Sequence, residues 1–468
     1  MAVIPRRLAA ALAGTALATV LAMDIGAITT AGAAETTPAP AYTPAPDNLA
    51  ARQWFQDARF GVFLHWGLYS ELGGAGKMGI AEWIMDDNQI PARQYERLAR
   101  FFNPTAFDAD AWAQAFKAAG ARYVVITSKH HEGFAMFASK ASPYNVVDAT
   151  PFHRDPLAEL AAACRRTGLK LFFYYSQLDW HHPDYFPQGT TGHGSERPAD
   201  GDWDRYIDFE QAQLRELLTH YGPIGGIWFD GWWDQKDTAY RNRWRLDETY
   251  RLIHSLQPAA LIGNNHHQAP FPGEDFQMFE RDLPGENSMG FNKAGVSDLP
   301  LEMAETMNGS WGFNLIDDQY KSTATLVRSL VGAAGRNANF LLNTGPMPNG
   351  ELQPENVRTL KDMGQWLKRY GESVYRTRGG PVAPRPWGVT TQAPGRIYVH
   401  VLDWKDGPLF LPLTQAVTKA TLLRDGSGVA VHARPDGLEL TLPSAAGEAP
   451  VGDPMDSWDR VIRLDLGP

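Results

Sequence analysis

The stretch from residue 168 to residue 231 decides the fold, because it contains one strand–helix–strand unit. It holds the apolar run KLFFYYS (170–176), the amphipathic pattern YIDFEQAQLRELLTHY (206–221) and the apolar run GGIWFD (225–230). Short apolar runs joined by a segment with helical periodicity are typical of parallel strands with a crossover helix. The unit therefore predicts two neighbouring parallel strands.

The same alternation extends over most of the chain. Strand-like runs lie at Phe60–Gly67, Tyr123–His131, Lys170–Ser176, Gly225–Asp230, Ala260–His266, Phe276–Glu280, Leu301–Thr306 and Ala338–Thr344. Helical patterns lie at Asp110–Ala119, Pro156–Thr167, Tyr206–Tyr221, Trp244–Leu256 and Thr323–Gly335. This α/β pattern predicts a (β/α)8-type catalytic barrel over residues 49–375. An open doubly wound sheet is the alternative, and it is disfavoured because no glycine-rich phosphate loop follows the first strand.

After Arg376 the helical periodicity gives way to short β-rich runs. They lie at Arg396–Leu402, Leu409–Pro412, Ala420–Leu423, Leu438–Leu442 and Val461–Leu466. Turn signals, DG at 425–426 and PDG at 435–437, separate some of them. Residues 376–468 are therefore predicted to form a small C-terminal antiparallel β-sandwich.

Residues 1–33 predict a signal peptide. Arg6 and Arg7 precede an uncharged apolar run (8–23), and small residues follow at 31–33. The run is shorter than the roughly 18 apolar residues expected of a membrane span, and a retained interfacial anchor is the alternative. Residues 34–48 carry four prolines and predict an extended linker. We expect a secreted or periplasmic protein with no membrane span in its mature form.

Composition excludes several classes of protein. The chain of 468 residues has a net charge of −10, which disfavours a nucleic-acid-binding protein. A single cysteine, Cys164, excludes an intrachain disulfide framework and a cysteine-based zinc site. The 15 tryptophans suit a large core and also the walls of a sugar site, because an aromatic ring covers the C–H face of a pyranose. The oligomeric state stays open.

Polar and aromatic residues end the first four predicted strands. These endings are HWG (65–67), HHE (130–132), YYS (174–176) and WFDG (228–231). In a barrel the carboxyl ends of the strands meet at one face, which carries the active site. Asp230 is the sharpest candidate, because a carboxylate beside a tryptophan suits a nucleophile that attacks an anomeric carbon. Its alternatives are a helix cap and an arginine-paired carboxylate.

Glycoside hydrolysis needs a second carboxyl group across the scissile bond. Glu280 and Glu302 are the candidates, and periodicity does not choose between them; either is alternatively a salt-bridge carboxylate. His130 and His131 are adjacent, so within a strand their side chains point to opposite faces, and the histidine spacing is poor for a metal site. We expect these imidazoles to bind hydroxyl groups, with buried core histidines as the alternative.

Six segments occur in an order typical of one enzyme family. They are GVFLHWG (61–67), SKHHEGF (128–134), FYYSQLDW (173–180), IWFDG (227–231), MNGSWGF (307–313) and NFLLNTGPMPNG (339–350). From about Trp54 to Tyr370 the chain resembles the α-L-fucosidases of glycoside hydrolase family 29, and the β-rich tail resembles that family's C-terminal sandwich. The resemblance implies retaining exo-hydrolysis of terminal α-L-fucose from oligosaccharides or glycoconjugates by double displacement. It implies neither a metal nor an organic cofactor.

The resemblance also implies roles for individual residues. Asp230 matches the nucleophile, and Glu302 is preferred to Glu280 as the acid/base although Leu301 stands where many members have tryptophan. Gln277 stands near a position where some members carry a sugar-binding arginine. The expected sugar contacts are His65, Glu82, Trp83, His130, His131, Tyr175 and Trp228. A non-catalytic fucose-binding protein and a glycosidase of related specificity remain as alternatives, and the linkage preference stays open.

Overall fold

The computed structural model describes residues 42–74, 76–77, 79–235, 242–404, 407–442 and 455–467. The predicted signal peptide and the predicted linker up to residue 41 lie outside these residues. From Tyr42 onward the chain forms one compact unit. No helix among the residues described is both long and apolar enough to cross a membrane.

Eight parallel strands form the central sheet and coincide with the eight predicted runs. They are β1 (Phe60–Leu64), β2 (Tyr123–Lys129), β3 (Lys170–Ser176), β4 (Gly226–Asp230), β5 (Leu261–Asn264), β6 (Gln277–Glu280), β7 (Leu301–Thr306) and β8 (Ala338–Thr344). The strand order is β5-β4-β3-β2-β1-β8-β7-β6. Because β1 pairs in parallel with both β2 and β8, the sheet curls into a barrel rather than a doubly wound sheet.

The barrel is nearly closed between its two end strands, β5 and β6. Just before β6, the backbone N–H of Asp275 donates to the carbonyl of Ile262 in β5 over 2.6 Å. The Asp275 carboxylate accepts the Ile262 N–H at 2.8 Å and the Arg52 guanidinium at 2.6 Å. One buried aspartate therefore joins the two ends of the sheet.

Helices cover the outside of the barrel. The longer helices of the described chain are Pro46–Ala58, Ala109–Ala118, Pro156–Thr167, Trp203–His220, Leu246–Leu256, Thr323–Gly335 and Pro354–Tyr370. Shorter helical turns are Tyr69–Leu72, Ala81–Trp83, Ile84–Asp87, Ala92–Tyr95, Glu96–Arg100, His193–Ser195, Trp232–Asp234, Gly371–Ser373 and Met455–Trp458. Capping side chains fix several helix starts, because Asp108, Asp155, Asp202 and Ser322 each accept a backbone N–H of the first turn.

The period of two along each strand divides the apolar side chains between two cores. On β1 and β2, Phe63 and Val125 pack inside the barrel, whereas Val62 and Val124 pack against the helices. Strand residues two apart therefore share a face. This parity decides which residues near the strand ends can reach the centre of the barrel.

The helix Pro46–Ala58 closes the amino-terminal mouth of the barrel. Phe55 is 1% exposed, and its ring centroid lies 5.3 Å from that of Tyr123 and 4.8 Å from that of Phe276. The helix overlaps the predicted linker (34–48), so residues 46–48 are corrected from linker to helix. Proline at the first helical position is well tolerated, because its missing N–H would be unsatisfied there anyway.

The C-terminal residues form two antiparallel sheets, as predicted. Their strands are β9 (Arg378–Gly379), β10 (Gly388–Ala393), β11 (Arg396–Val401), β12 (Leu409–Leu411), β13 (Val417–Leu422), β14 (Ala430–Arg434), β15 (Gly437–Thr441) and β16 (Arg460–Leu466). The orders are β13-β16-β11-β10-β9 and β12-β15-β14. Side chains from both sheets, such as Val399 and Leu440, share one apolar core, so the sheets form a sandwich.

Besides the two-residue β9, two of these strands have no apolar pattern in the sequence. β14 is largely exposed, so burial imposes no alternation on it. β10 is buried, but Thr390 and Thr391 satisfy their hydroxyls by donating to the carbonyls of Val382 and Ser373. Hydrogen-bonded threonines thus occupy core positions where the sequence rule expects aliphatic residues.

Candidate active site

A cavity of about 500 Å³ opens at the carboxyl-terminal end of the barrel strands. It is lined by Phe63, His65, Ile80, Glu82, Trp83, His130, His131, Tyr174, Trp228, Asp230, Trp233, Asn265, His267, Glu280, Arg281, Met289, Phe291 and Trp311. Aromatic rings, carboxyl groups and imidazole groups together form the wall. Such a lining suits a small ligand that has both apolar faces and many hydroxyls.

Asp230 is the last residue of β4, and its side chain faces the cavity. It shares the inner face with Trp228, two residues earlier. Its Oδ2 accepts the Tyr174 hydroxyl at 2.9 Å. Its Oδ1 accepts the backbone N–H of Gly231 at 2.8 Å and the indole N–H of Trp233 at 3.1 Å. These donors fix the orientation of the carboxylate.

Two further groups approach the Asp230 carboxylate. The Nε2 atom of His131 lies 3.7 Å from Oδ2, and the Nδ2 atom of Asn265 lies 3.4 Å from Oδ1. Burial raises the pKa of Asp230, while hydrogen bonds, led by those from Trp233 and Tyr174, oppose the rise because they stabilise the charged form. The site therefore offers an oriented carboxylate in a partly desolvated wall.

Glu280 ends β6 and also lines the cavity. Its Oε2 accepts the Asn265 amide at 2.9 Å and lies 4.0 Å from Nε2 of His267. Burial, helped by the negative charge of Asp230, raises the pKa of Glu280 to about 7, against the opposing effects of the Asn265 hydrogen bond and the Arg281 charge. A carboxyl group with that pKa is protonated in a large fraction of molecules near neutral pH.

Glu302, the preferred acid/base in the sequence, is not among the residues that line the cavity. It lies on β7 inside the barrel with 1% of its surface exposed. Its Oε2 accepts the Tyr123 hydroxyl at 2.5 Å, and its Oε1 accepts the Trp228 indole N–H at 2.9 Å. The side chain thus supports Trp228 from below, so its expected contact with a ligand is corrected to a position beneath the cavity wall.

His130 and His131 both reach the cavity because β2 ends at Lys129. Beyond the strand the period of two no longer separates them. His131 Nδ1 lies 2.7 Å from Ser176 Oγ. The His130 ring stacks on the Tyr174 ring with centroids 5.4 Å apart, and its Nδ1 has no partner within the described chain. His130 therefore lines the cavity with its ring held against Tyr174.

The cavity histidines are held neutral. His65 pairs through Nδ1 with Asn343 Oδ1 at 2.7 Å, and burial lowers its pKa to about 3. Burial also lowers the pKa values of His130 and His131 well below the usual range. A neutral imidazole has one donor and one acceptor, which matches a hydroxyl group. Within the described ranges, no three His, Cys, Asp or Glu side chains are grouped so that they could hold a metal ion.

Glu82 and Trp83 come from the short helical turn after β1, and both line the cavity. Glu82 Oε2 accepts the Gly312 backbone N–H at 2.9 Å and the Ser310 hydroxyl at 3.3 Å. Its Oε1 is buried without a partner among the described residues. The Trp83 ring lies nearly parallel to the Trp233 ring, with centroids 5.9 Å apart. The segment SWG (310–312) therefore positions Glu82, a predicted site residue that lies far from it in the sequence.

Tyr175 is the other predicted site residue that the structure does not bring to the cavity. Its hydroxyl donates to Gln213 Oε1 at 2.8 Å, and the Lys129 ammonium lies 4.8 Å from its ring centroid. Tyr174, the preceding residue, faces inward instead. The register explains this, because Tyr174 is paired with Trp228 and so shares the inner face. Tyr175 is therefore corrected to Tyr174 as the tyrosine that lines the cavity.

The sequence left several cavity residues unassigned. They are Phe63, Ile80, Tyr174, Trp233, Asn265, His267, Met289 and Phe291. The polar ending GNNHH (263–267) after β5 is the same signal that marked the first four strands, and it identifies Asn265 and His267. Gln277 lies outside the cavity and binds the Gly295 carbonyl, whereas Arg281 lines the cavity with its guanidinium 5.3 Å from the Trp311 ring centroid.

Two carboxyl groups among aromatic rings and neutral imidazoles, at the carboxyl-terminal face of a (β/α)8 barrel, define a glycoside hydrolase. The family model for alpha-L-fucosidase matches residues 29–372. The chain is 30% identical over 415 residues to human plasma alpha-L-fucosidase, covering 81% of this chain and 83% of the relative. It therefore belongs to the alpha-L-fucosidase family.

Solved structures agree with this membership. Alpha-L-fucosidase isoenzyme 1 from Paenibacillus thiaminolyticus matches with a TM-score of 0.78 and 35% identity, covering 90% of this chain and 100% of that one. A family 29 alpha-L-fucosidase from Bacteroides thetaiotaomicron, described as a trapped covalent intermediate in complex with 2-fluoro-fucosyl fluoride, matches with a TM-score of 0.77 and 29% identity. That match covers 90% of this chain and 96% of the other.

Proposed function

We propose that this protein is a secreted, retaining exo-α-L-fucosidase that removes terminal α-L-fucose from oligosaccharides or glycoconjugates. One observation carries the proposal: the Asn265 amide nitrogen lies 3.4 Å from Asp230 Oδ1 and 2.9 Å from Glu280 Oε2. The two oxygens are therefore separated by at most about 6.3 Å, which is compatible with the roughly 5–5.5 Å between the carboxyl groups of retaining glycosidases and below the roughly 6.5–9.5 Å of inverting ones.

In the first step, Asp230 acts as the nucleophile. A carboxylate oxygen forms a bond to the anomeric carbon of fucose while the bond from that carbon to the leaving oxygen breaks. Glu280 gives its proton to the leaving oxygen, so the aglycone departs as a neutral alcohol. The raised pKa of Glu280 favours the protonated form that this step requires.

In the second step, water releases the sugar. Glu280, now ionised, takes a proton from water as the water oxygen bonds to the anomeric carbon and the bond to Asp230 breaks. The products are fucose and the starting carboxylate, with the anomeric configuration retained. The trapped covalent intermediate described for the Bacteroides thetaiotaomicron relative is the species that such a mechanism forms.

We assign the acid/base to Glu280 rather than Glu302. Glu280 lines the cavity beside Asp230, whereas both Glu302 oxygens are engaged inside the barrel by Tyr123 and Trp228. A general acid must reach the leaving oxygen within hydrogen-bond distance. Glu302 satisfies the energetic requirement of a raised pKa but not this geometric one.

The remaining wall binds the sugar. His65, His130 and His131 exchange hydrogen bonds with the ring hydroxyls, and Glu82, which also lines the cavity, forms another. Phe63 packs with the nearby tryptophan rings and supplies an apolar contact for the C6 methyl group. Such a contact is worth about 1–3 kcal/mol, so related sugars without the methyl group are cleaved more slowly rather than excluded.

Kinetics of aryl α-L-fucosides test the proposal. Asp230→Ala should abolish turnover while the protein stays folded. Glu280→Ala should slow poor leaving groups more than activated ones, and azide should partly restore the rate by replacing the water that Glu280 activates. No turnover by the parent protein would indicate a fucose-binding protein instead. Azide rescue of Glu302→Ala but not of Glu280→Ala would reverse the assignment.

Export is tested by the N-terminus of the protein recovered outside the cytoplasm. Removal of the signal peptide predicts a new terminus directly after residue 33. A protein that retains Arg6 and Arg7 and sediments with membranes would instead indicate a retained anchor.

A further inference from the structure

Asn265 is placed by the backbone of two neighbouring strands. It follows β5 directly, and its N–H donates to the Phe229 carbonyl of β4 over 2.8 Å. The residue is 3% exposed. The side chain of Asn265 therefore starts at the same level of the barrel rim as that of Asp230, the residue after Phe229.

The Asn265 amide nitrogen contacts carboxyl groups from two strands. It lies 2.9 Å from Glu280 Oε2 on β6 and 3.4 Å from Asp230 Oδ1 on β4. Only the nitrogen of an amide can donate to a carboxylate, and it carries two hydrogens, one for each acceptor. The amide oxygen is buried without a partner among the described residues. The carboxyl pair is thus the side chain's hydrogen-bonding environment within the described chain.

We propose that Asn265 is a positioning residue that ties the two carboxyl groups together and stabilises the ionised form that Glu280 reaches as it gives its proton to the leaving oxygen in the first step. This inference rests on the proposed function. The negative charge resides on Asp230 in the free enzyme and on Glu280 once Asp230 is esterified. A hydrogen bond to an ionised acceptor is stronger than one to a neutral acceptor. Because Asn265 lies closer to Glu280, its contribution is larger in the intermediate.

Several other groups surround Glu280. Asp230 and Glu82 bring negative charge, Arg281 brings positive charge, and His267 Nε2 lies at 4.0 Å. Tyr174 bonds to Asp230 on the same wall. Burial holds His267 neutral, with a pKa near 4. Removing Asn265 takes away a donor that lowers the pKa of Glu280 and leaves these other groups in place.

The test compares Asn265→Ala with the matched control Asn264→Ala. Asn264 is the preceding residue, but its amide donates to Tyr250 at 2.9 Å and to Gln177 at 3.0 Å, away from the carboxyl pair. For Asn265→Ala we expect kcat/KM for a fucoside with a poor leaving group to fall at least tenfold and the basic limb of kcat/KM to move to higher pH. With an activated aryl fucoside, the pre-steady-state burst should become smaller, because the first step, in which Glu280 becomes ionised, is slowed most. Asn264→Ala should leave the basic limb in place.

The outcomes separate this inference from the proposed function. Unchanged pH limbs and burst in Asn265→Ala, or the same shift in Asn264→Ala, would overturn the role of Asn265 while leaving Glu280 as acid/base. Failure of azide to rescue Glu280→Ala would overturn the acid/base assignment itself and this inference with it. If Asn265→Ala does not fold, Asn265→Ser is measured in the same way, because its hydroxyl is too short to reach both carboxyl groups.

Discussion

Replacing Glu302 by glutamine should preserve the barrel interior, although the residue is a buried glutamate in a glycosidase. The Trp228 indole only donates, so the glutamine Oε1 must face it, and the glutamine Nε2 then donates to the Tyr123 oxygen. Both contacts seen with Glu302 survive, one of them with its direction reversed. Glu302→Ala instead leaves two buried donors unsatisfied, which costs about 1–3 kcal/mol for each donor.

The raised pKa of Glu302 sets how much this residue changes the free energy of unfolding with pH. Burial raises the pKa of Glu302 from 4.5 to about 7. Its contribution to stability is therefore complete below about pH 4.5, the value in the unfolded chain, and is lost as the pH rises through 7. The loss amounts to roughly 3 kcal/mol. Glu302→Gln has no ionisable group at this position. The difference in free energy of unfolding between the variant and the parent protein should therefore shift in favour of the variant by about that amount between pH 4.5 and about 8.5.

The assay is reversible urea unfolding of the parent and of Glu302→Gln at several pH values, with kcat/KM for an aryl α-L-fucoside measured on the same samples. We expect a widening stability difference in favour of the variant and a kcat/KM within a few-fold of the parent. A stability difference that does not change with pH would refute the claim that Glu302 is held in its neutral form by burial. A thousandfold loss of activity that grows with the pKa of the leaving group would identify Glu302 as the acid after all.

Three further predictions concern the site and the fold. Tyr174→Phe removes the hydroxyl that donates to Asp230 over 2.9 Å, so kcat/KM should fall about tenfold and its acidic limb should move to higher pH. Tyr175→Phe loses only the hydrogen bond to Gln213 outside the cavity and should leave that limb unchanged. Equal shifts in both variants would refute the inward orientation of Tyr174. In the parent enzyme, kcat/KM should decline as the pH rises past about 7, because Glu280 must be protonated to act as the acid, and a profile that is flat to pH 9 would contradict this role. Phe55→Ala should lower the free energy of unfolding by about 3–5 kcal/mol in urea titrations, while kcat/KM of the folded fraction stays close to the parent value. Leu49, which is 53% exposed on the same helix, gives the control Leu49→Ala, and a comparable loss of stability in that control would contradict the role of Phe55 in closing the barrel mouth.

The barrel strands were predictable because burial on both faces leaves an apolar run that polar residues interrupt only at the rim. The runs at Lys170–Ser176, Leu301–Thr306 and Ala338–Thr344 match the observed strands end to end. The helix Pro46–Ala58 was not predicted, since its single proline, Pro46, continues the proline-rich pattern of the predicted linker and its helical role depends on the barrel mouth that Phe55 fills. That dependence is tertiary and leaves little trace in the local sequence.

The location of a predicted site residue agrees with the structure where a strand ending alone decides it. Asp230, His65 and both histidines after β2 line the cavity as expected. The alternation of side chains along a strand predicts Tyr174 rather than Tyr175 at the cavity, because Tyr174 is paired with the inward-facing Trp228 of β4. The preference for Glu302 came from the family resemblance, whereas the strand-ending rule favours Glu280. Glu280 ends its strand, and Glu302 is the second residue of its own strand, paired with Met278 two residues below the rim.

The central claim is that Asp230 forms a covalent bond to fucose with Glu280 opposite. It is tested most directly by treating the protein with 2-fluoro-fucosyl fluoride, whose fluorine at C2 slows the second step, and locating the adduct by mass spectrometry of peptides. We predict one fluorofucosyl group per chain, attached to Asp230, and a longer-lived adduct in Glu280→Gln. An adduct on Glu280 or Glu302, or turnover without any adduct and with inverted configuration of the released sugar, would contradict the claim.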